Sequence, residues 1–314
     1  MSVKVLVVHQ RADEYRGLMR RRFPELEVIA EPQDGRLEQG LAEAEFMIAW
    51  RHGIEALARA RRLRWLQLTS AGVEHLLPVR ALLRDVIVTN ARGIHGEVMA
   101  DYVFGVIVMQ QWNFPRLFRN QQARCWDHQF TEPLAGKTLG VIGLGAIGRE
   151  IVRRAPAFGM TVVGVKREAA PVDGVSRVFG PDRLAEMLPL CDFVVVVVPD
   201  TPETRQMIGA RELRAMKPTA YLINIARGSV VDEPALVRAL REGWIAGAAL
   251  DVFAQEPLPP ESPLWTLDRV ILTPHIAGEP ADYVGRVMDI FGENLARWRD
   301  GRPLRNVVDL AKGY

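Results

Sequence analysis

Three segments of this sequence end an apolar run on a polar, reactive side chain. They are Ile223-Asn-Ile-Ala-Arg227, Ala249-Leu-Asp251 continuing to Glu256, and Leu272-Thr-Pro-His275. The residue types form a chemical set. Hydride transfer to a 2-keto acid needs a cation for the carboxylate and carbonyl, a proton donor for the developing alkoxide, and a group that keeps that donor protonated. Arg227, His275 and Glu256 can supply these in that order, since a carboxylate beside an imidazole favours the protonated ring that reduction requires at neutral pH. Taken singly, each has an ordinary alternative: Arg227 as a helix cap or surface ion pair, Glu256 as a solvated loop carboxylate, His275 as a structural histidine.

A fourth segment, Thr138-Leu-Gly-Val-Ile-Gly143-Leu144-Gly145-Ala-Ile147-Gly148, carries glycines spaced G-x-G-x-x-G. In such a turn the first glycine permits the tight reversal and the second lets the backbone approach a pyrophosphate. The third allows close helix–strand packing, with the helix amino end facing the phosphates. The required context is present: an apolar strand before, a helical pattern over 146–158 after, and a second strand at Thr161–Val165. A glycine-rich turn without a ligand is the ordinary alternative. At the end of that second strand an acidic residue would bind the ribose 2′-hydroxyl of NAD. Here stand Lys166 and Arg167, the first of them eighteen positions after Gly148. Two cations suit a 2′-phosphate, so the sequence points to NADP, with NAD as a possible substitute; ordinary exposed basic residues are the alternative.

The elements that must position these groups read as β/α units. Short apolar runs at 3–8, 28–30, Phe46–Ala49, Trp65–Leu68 and 86–89 alternate with helix-length polar connections, the pattern of a mainly parallel sheet. Residues 97–111 are apolar nearly all round, which predicts a helix buried on several sides, between domains or between subunits. Six strands follow, at Thr138–Ile142, Thr161–Val165, 193–198, 220–225, 246–250 and Val270–Leu272, enough for a complete dinucleotide-binding sheet with ligand at the strand carboxyl ends. Residues 281–300 carry helical spacing of apolar side chains.

Length and composition agree. The 314 residues suggest about two domains. With 48% hydrophobic and 25% charged residues, disordered and fibrous classes drop out. Forty basic against 38 acidic side chains, a net charge of +2, give no reason to expect nucleic acid. Cys125 and Cys191 have no disulfide-framework or zinc-ligand spacing, which fits a reducing compartment, and the cytoplasm is the expected location. The first residues read as a β-strand rather than a leader, and no apolar stretch approaches the ~20 residues that cross a bilayer.

Several further motifs stand in order along nearly the whole chain: Leu68-Thr-Ser-Ala71-Gly72-Val, Asn90-Ala-Arg-Gly-Ile-His-Gly96, Pro199-Asp-Thr-Pro-Glu-Thr-Arg205, Asn224-Ile-Ala-Arg-Gly228, Asp251-Val-Phe-Ala-Gln-Glu-Pro257 and Pro274-His-Ile-Ala-Gly278. With the Gly143 turn, they make the sequence resemble the D-2-hydroxyacid dehydrogenases, whose members include glyoxylate/hydroxypyruvate reductases. The resemblance implies two doubly wound parallel α/β domains, a Rossmann cofactor domain (99–279) inserted into a flavodoxin-like substrate domain (1–98 plus 280–314). It implies that Arg227 holds the substrate carboxylate and carbonyl, that His275 is the acid/base and that Glu256 orients it. Asp251 would contact the nicotinamide carboxamide, and the Ala71-Gly72 backbone would cradle the substrate carboxylate. Gly143, Leu144, Gly145, Ile147, Gly148, Lys166, Arg167 and Pro199 would line the dinucleotide. A homodimer through the inserted domain is implied as well.

The sequence departs from the common family pattern at Asp101, Asp200 and Glu279-Pro280, none of them among the three reactive side chains. Trp50-Arg51-His52 is a candidate pocket wall, with a solvated loop as the alternative. Two other readings stay open at this stage: a phosphite-type dehydrogenase built on the same three residues, and a non-enzymatic dinucleotide-sensing protein like the corepressors of this fold.

Overall fold

The computed structural model describes residues 3–32, 34–50 and 54–313; Arg51 and His52 lie outside the described residues. In chain order the first elements are β1 (Lys4–Val8), α1 (Ala12–Arg22), β2 (Glu27–Glu31), α2 (Leu37–Glu43), β3 (Phe46–Ala49), β4 (Trp65–Leu68) and β5 (Ile87–Thr89). Next come α3 (Gly96–Gln111), α4 (Phe114–Gln122), β6 (Thr138–Ile142), α5 (Ala146–Arg154), β7 (Thr161–Val165), β8 (Arg177–Phe179), α6 (Leu184–Met187) and β9 (Phe193–Val196). The chain finishes with α7 (Ala210–Ala215), β10 (Tyr221–Asn224), α8 (Glu233–Arg241), β11 (Gly247–Leu250), β12 (Val270–Leu272) and α9 (Tyr283–Arg299).

Two compact units divide the chain: Met1–Ile94 with Pro280–Tyr314, and His95–Glu279 between them.

In the first unit, strands β2-β1-β3-β4-β5 form an all-parallel sheet, the flavodoxin-like order. Period-two alternation divides its side chains between two cores. Leu6, Ile29, Met47, Leu66 and Leu68 face Leu41, Leu76 and Leu83 on one side. Val5, Val7, Ala30, Ile48 and Trp65 face Tyr15 and Met19 of α1 and Val287, Met288, Phe291 and Leu295 of α9 on the other. The Trp65 ring stacks on Phe291 at 4.8 Å, and its indole N–H donates to Thr89 Oγ1 at 2.8 Å, so a large aromatic is buried with its one polar atom satisfied.

The second unit holds a seven-stranded parallel sheet, ordered β12-β11-β10-β9-β6-β7-β8. Read outward from β6, this is the dinucleotide-binding order with β12 added, and strand direction of travel reverses between β6 and β9. The strands read from sequence are all present. A seventh, β8, pairs with β7 at the edge. The apolar character of α3 is used within this unit: Val103, Phe104 and Ile107 pack on Leu139, Val141, Phe193, Val195 and Ile223, and Phe104 stacks on Phe158 at 4.6 Å. Its exposed positions are Glu97, Asp101 and Gly105. Asp101 pairs with Arg154 of α5. The helix expected over 146–158 changes at Ala155 to a tighter 3-10 turn, Ala155–Phe158, with Pro156 in it.

Candidate active site

The three strands that carry the reactive groups are neighbours in register: Asn224 of β10 lies beside Leu250 of β11, which lies beside Leu272 of β12. Their carboxyl ends therefore open on one edge of the sheet, where Arg227, Asp251 and His275 follow within three residues. The ladder continues past the strands. Asp251 N donates to Asn224 O at 3.1 Å, Thr273 N to Leu250 O at 3.0 Å, and His275 N to Asp251 O at 2.8 Å.

Arg227 is presented by a turn that the buried Asn224 shapes from both sides. Its side-chain oxygen accepts from Ala226 N at 3.1 Å, and its amide donates to Arg227 O at 3.0 Å. The next residue must be glycine. A Cβ on Gly228 would lie 1.9 Å from Phe253 C and 2.0 Å from Phe253 O, so the Arg227 turn and the loop after β11 touch backbone to backbone. The Arg227 side chain is half-buried and donates from Nη1 to Ala226 O at 2.7 Å.

Glu256 closes that second loop. Its Oε1 accepts from Phe253 N at 3.1 Å, and its Oε2 lies 2.8 Å from His275 Nδ1. A carboxylate only accepts, so Nδ1 carries the proton and Nε2 is the ring nitrogen directed elsewhere. Both side chains keep contact with solvent, at 32% for His275 and 26% for Glu256. The geometry is that of a base held in one tautomer by an orienting carboxylate.

Asp251 is 2% exposed. Its carboxylate accepts from Thr273 Oγ1 at 2.6 Å, Ile276 N at 2.9 Å and Ala277 N at 2.9 Å. A carboxylate has about four acceptor positions, and three are filled by its own chain; one is left for an outside donor.

At the switch point the three glycines have different reasons. Gly143 has φ 109° and a Cβ there would lie 2.5 Å from Val197 O; a Cβ on Gly148 would lie 1.9 Å from Gly143 O. Folding alone requires both. Gly145 has an ordinary extended backbone, φ −78°, and a Cβ there would meet nothing within 4 Å. The room it leaves is on the outside of the turn, in front of the first turn of α5, where backbone N–H groups have no intrahelical acceptor. That arrangement fits a pyrophosphate.

The other expected cofactor residues fall as follows. Leu144 is buried, its side chain against Gly164 of β7, so only its backbone faces outward, and Ile147 is partly buried against the same core. Lys166 is half-buried at the end of β7 and Arg167 exposed beside it. Across the switch point, Pro199 is exposed and its carbonyl accepts from Thr204 Oγ1 at 2.6 Å. In that same loop Glu203 is held below the usual carboxylate range, first by a hydrogen bond from Thr201 and further by the charge of Arg167. Asp200 is held by Arg205 Nε at 3.1 Å.

In the first unit, the loop after β4 carries Ala71 and Gly72. Ala71 O accepts from Asn90 Nδ2 at 2.7 Å and Gly72 O from Ser70 Oγ at 2.8 Å. Asn224, Gly228, Thr273 and Tyr102 were given no role from sequence. The first two stand inside the motif around Arg227 and signalled themselves only by position.

Among the described residues, no group of three or more His, Cys, Asp or Glu side chains forms a metal site, and no helix is long and apolar enough to cross a membrane.

Comparison with known proteins agrees with this geometry. The family model for the NAD-binding domain of D-isomer specific 2-hydroxyacid dehydrogenases matches residues 104–277. A glyoxylate reductase of Korarchaeum cryptofilum is 37% identical over 265 residues, 81% of this chain and 79% of that protein. A D-isomer specific 2-hydroxyacid dehydrogenase of Xanthobacter autotrophicus, solved with NADPH and MES, superposes with a TM-score of 0.89 at 33% identity, covering all of both chains. An NADPH-dependent glyoxylate/hydroxypyruvate reductase of Sinorhizobium meliloti, solved with NADP and sulfate, gives a TM-score of 0.91 at 27% identity, over 99% of this chain and 100% of that one. The cofactor class is therefore a nicotinamide dinucleotide, and the reaction class is oxidoreduction of a 2-hydroxy or 2-keto acid. By its sheet order, its switch-point glycines and these likenesses, the chain belongs to the D-isomer specific 2-hydroxyacid dehydrogenase family.

Proposed function

We propose that this protein reduces a small 2-keto acid, glyoxylate or hydroxypyruvate, to the D-2-hydroxy acid, with NADPH preferred over NADH. The observation that carries the reading is the His275 Nδ1 to Glu256 Oε2 contact of 2.8 Å at the sheet edge that also presents Arg227. The names of the Korarchaeum and Sinorhizobium relatives support the substrate class.

When bound, the nicotinamide supplies hydride to the keto carbon. Arg227 holds the substrate carboxylate with its planar fork and polarises the carbonyl. His275 gives a proton from Nε2 to the carbonyl oxygen as charge builds on it. Glu256 keeps Nδ1–H in place, so the ring cannot turn away or present the wrong nitrogen. Gly143, Gly145, Ile147 and Gly148 hold the pyrophosphate with the backbone of Leu144, and Pro199 flanks the adenosine side. Asp251 offers its remaining acceptor position to the carboxamide. Lys166 and Arg167 receive a 2′-phosphate, for which a point charge and a bidentate fork are suited and a carboxylate is not. Ala71 and Gly72 are the proposed backbone cradle for the substrate carboxylate.

The active form is proposed to be a homodimer through the inserted unit. None of the α4 side chains is buried, and Trp126 and Phe130 beyond it are 97% and 94% exposed, with Trp112 and Phe118 about half exposed. Aromatic area of that size calls for a covering surface. The site of action is proposed to be the cytoplasm.

The test is a reduction assay on purified protein, following nicotinamide absorbance with NADPH and then NADH against glyoxylate, hydroxypyruvate, pyruvate and an aryl keto acid. Turnover of the two small acids, faster with NADPH, is the expected result. Tight dinucleotide binding with no turnover of any keto acid would refute the proposal.

A further inference from the structure

His275 has φ 56°, in the left-handed region that a residue with a Cβ enters only at a cost and keeps only where its surroundings hold it there. The surroundings are explicit. His275 N is shared between Asp251 O at 2.8 Å and Thr273 O at 3.0 Å. The next two amides, Ile276 N and Ala277 N, aim at the two oxygens of the Asp251 carboxylate, each at 2.9 Å. One buried aspartate, through its backbone carbonyl and its carboxylate, thus gathers three successive residues into the turn that presents the imidazole.

A carboxylate can rotate about its own bond unless something fixes it. Here Thr273 Oγ1 donates to Asp251 Oδ1 at 2.6 Å and lies 2.7 Å from the Tyr102 hydroxyl. The single threonine proton is committed to the carboxylate, so Tyr102 must be the donor in the second bond. Burial pushes the Tyr102 phenol up to about 12, so it stays protonated across the working range of pH. Tyr102 is rooted in α3, whose Val103 and Ile107 are in the core and whose Gln110 Nε2 donates to Ala248 O of β11 at 2.9 Å.

We infer that Tyr102 and Thr273 are positioning residues for His275, acting through Asp251 to set the direction of the imidazole. The chain Tyr102–Thr273–Asp251 ties the catalytic turn to a helix far from it in sequence. The kinetic part of the test rests on the proposed reductase activity; the spectroscopic part does not.

The variants are Thr273→Val, which removes the linking hydroxyl, Thr273→Ser, which restores it, and Tyr102→Phe, which deletes one oxygen and keeps the ring in place should the valine variant fold poorly. A displacement of about 1 Å at a reacting group costs on the order of 100-fold, and a loosened turn a fraction of that. Thr273→Val is therefore expected to lower kcat roughly tenfold and Tyr102→Phe roughly threefold, with KM for the keto acid and Kd for NADPH within about twofold, and Thr273→Ser to recover most of the rate. Long-range 15N–1H correlation of labelled histidine at alkaline pH, assigned with His275→Gln, should show His275 protonated on Nδ1 in the parent. A growing Nε2–H population is expected in Thr273→Val and Tyr102→Phe. Parent values of kcat and tautomer in both variants, or a fall in Tm alone, would overturn the inference. If the parent protein turns over no keto acid, the reductase reading fails and the tautomer alone decides: a shift supports the positioning chain and an unchanged tautomer overturns it.

Discussion

Replacing Gly145 with alanine distinguishes a glycine needed for folding from one needed for a ligand. The new methyl meets no protein atom within 4 Å, and the backbone conformation is one that alanine adopts. Alanine is a poorer cap than glycine at the position before α5 by up to about 1 kcal/mol, while the stiffer unfolded chain returns about 0.4–1 kcal/mol. The two nearly cancel, so Tm should move by no more than about 2–4 °C. Dinucleotide binding should respond very differently. On the role proposed for this turn, the methyl stands where a pyrophosphate would approach the helix amino end. Losing one charge-assisted hydrogen bond costs about 1.5–3 kcal/mol, roughly 10- to 150-fold in Kd. Isothermal titration with NADPH and NADH, beside a thermal melt, reads both quantities on one preparation. A folded Gly145→Ala protein that keeps its dinucleotide affinity within twofold would refute the assignment of this turn as the pyrophosphate cradle.

Gly228→Ala should do the reverse. With backbone atoms of Phe253 within 2.0 Å of the new Cβ, the two loops must part by about 1.5 Å to reach contact distance, lowering stability by about 1–3 kcal/mol and kcat by roughly 100-fold, while NADPH affinity stays near the parent value. The double change Lys166→Ala/Arg167→Ala should weaken NADPH at least about tenfold and leave NADH within about threefold, measured by titration; an unchanged ratio would remove the 2′-phosphate role. In Glu256→Gln the ring loses the acceptor-only partner of Nδ1, so kcat should fall at least about tenfold with NADPH affinity unchanged; a parent kcat would count against Glu256 as the orienting group. Glu150 is held at about 2, first by its hydrogen bond from Arg153 and also by Arg154. A depressed carboxyl stabilises the fold above its unfolded value near 4.5 and loses that contribution as pH falls from there toward 2. Exposure to solvent limits the effect to about 1 kcal/mol or less, and acid melts of Glu150→Gln should show a correspondingly flatter loss over that interval.

Most of the parallel strands were legible because they are short runs buried on both faces, such as Phe193–Val196 and Gly247–Leu250. Strand β8 and helix α4 were not. Strand β8 is three residues, Arg177-Val-Phe179, with the Arg177 guanidinium lying over the Phe179 ring at 4.4 Å, so its most apolar residue is partly covered by a charge. Helix α4 has no buried residue and hence no apolar stripe facing its own unit. The reactive trio could be named from residue types at strand ends, since parallel sheets bring such ends together whatever the loops between them. The pairing of Glu256 with His275 was read there too, while its 2.8 Å geometry depends on the loop that Gly228 lets approach. Tyr102 read as one more apolar position of α3; its hydroxyl, and the threonine before Pro274-His275, carry no signal in a hydrophobic pattern.

The role proposed for His275, held by Glu256, is that of proton donor in keto-acid reduction. It is tested most directly by measuring kcat for glyoxylate and hydroxypyruvate and Kd for NADPH in the parent and in His275→Gln side by side. General acid catalysis contributes about 100- to 10,000-fold, so kcat should fall by at least about 100-fold with NADPH binding unchanged. A His275→Gln protein that turns over at a rate near the parent's would contradict the account.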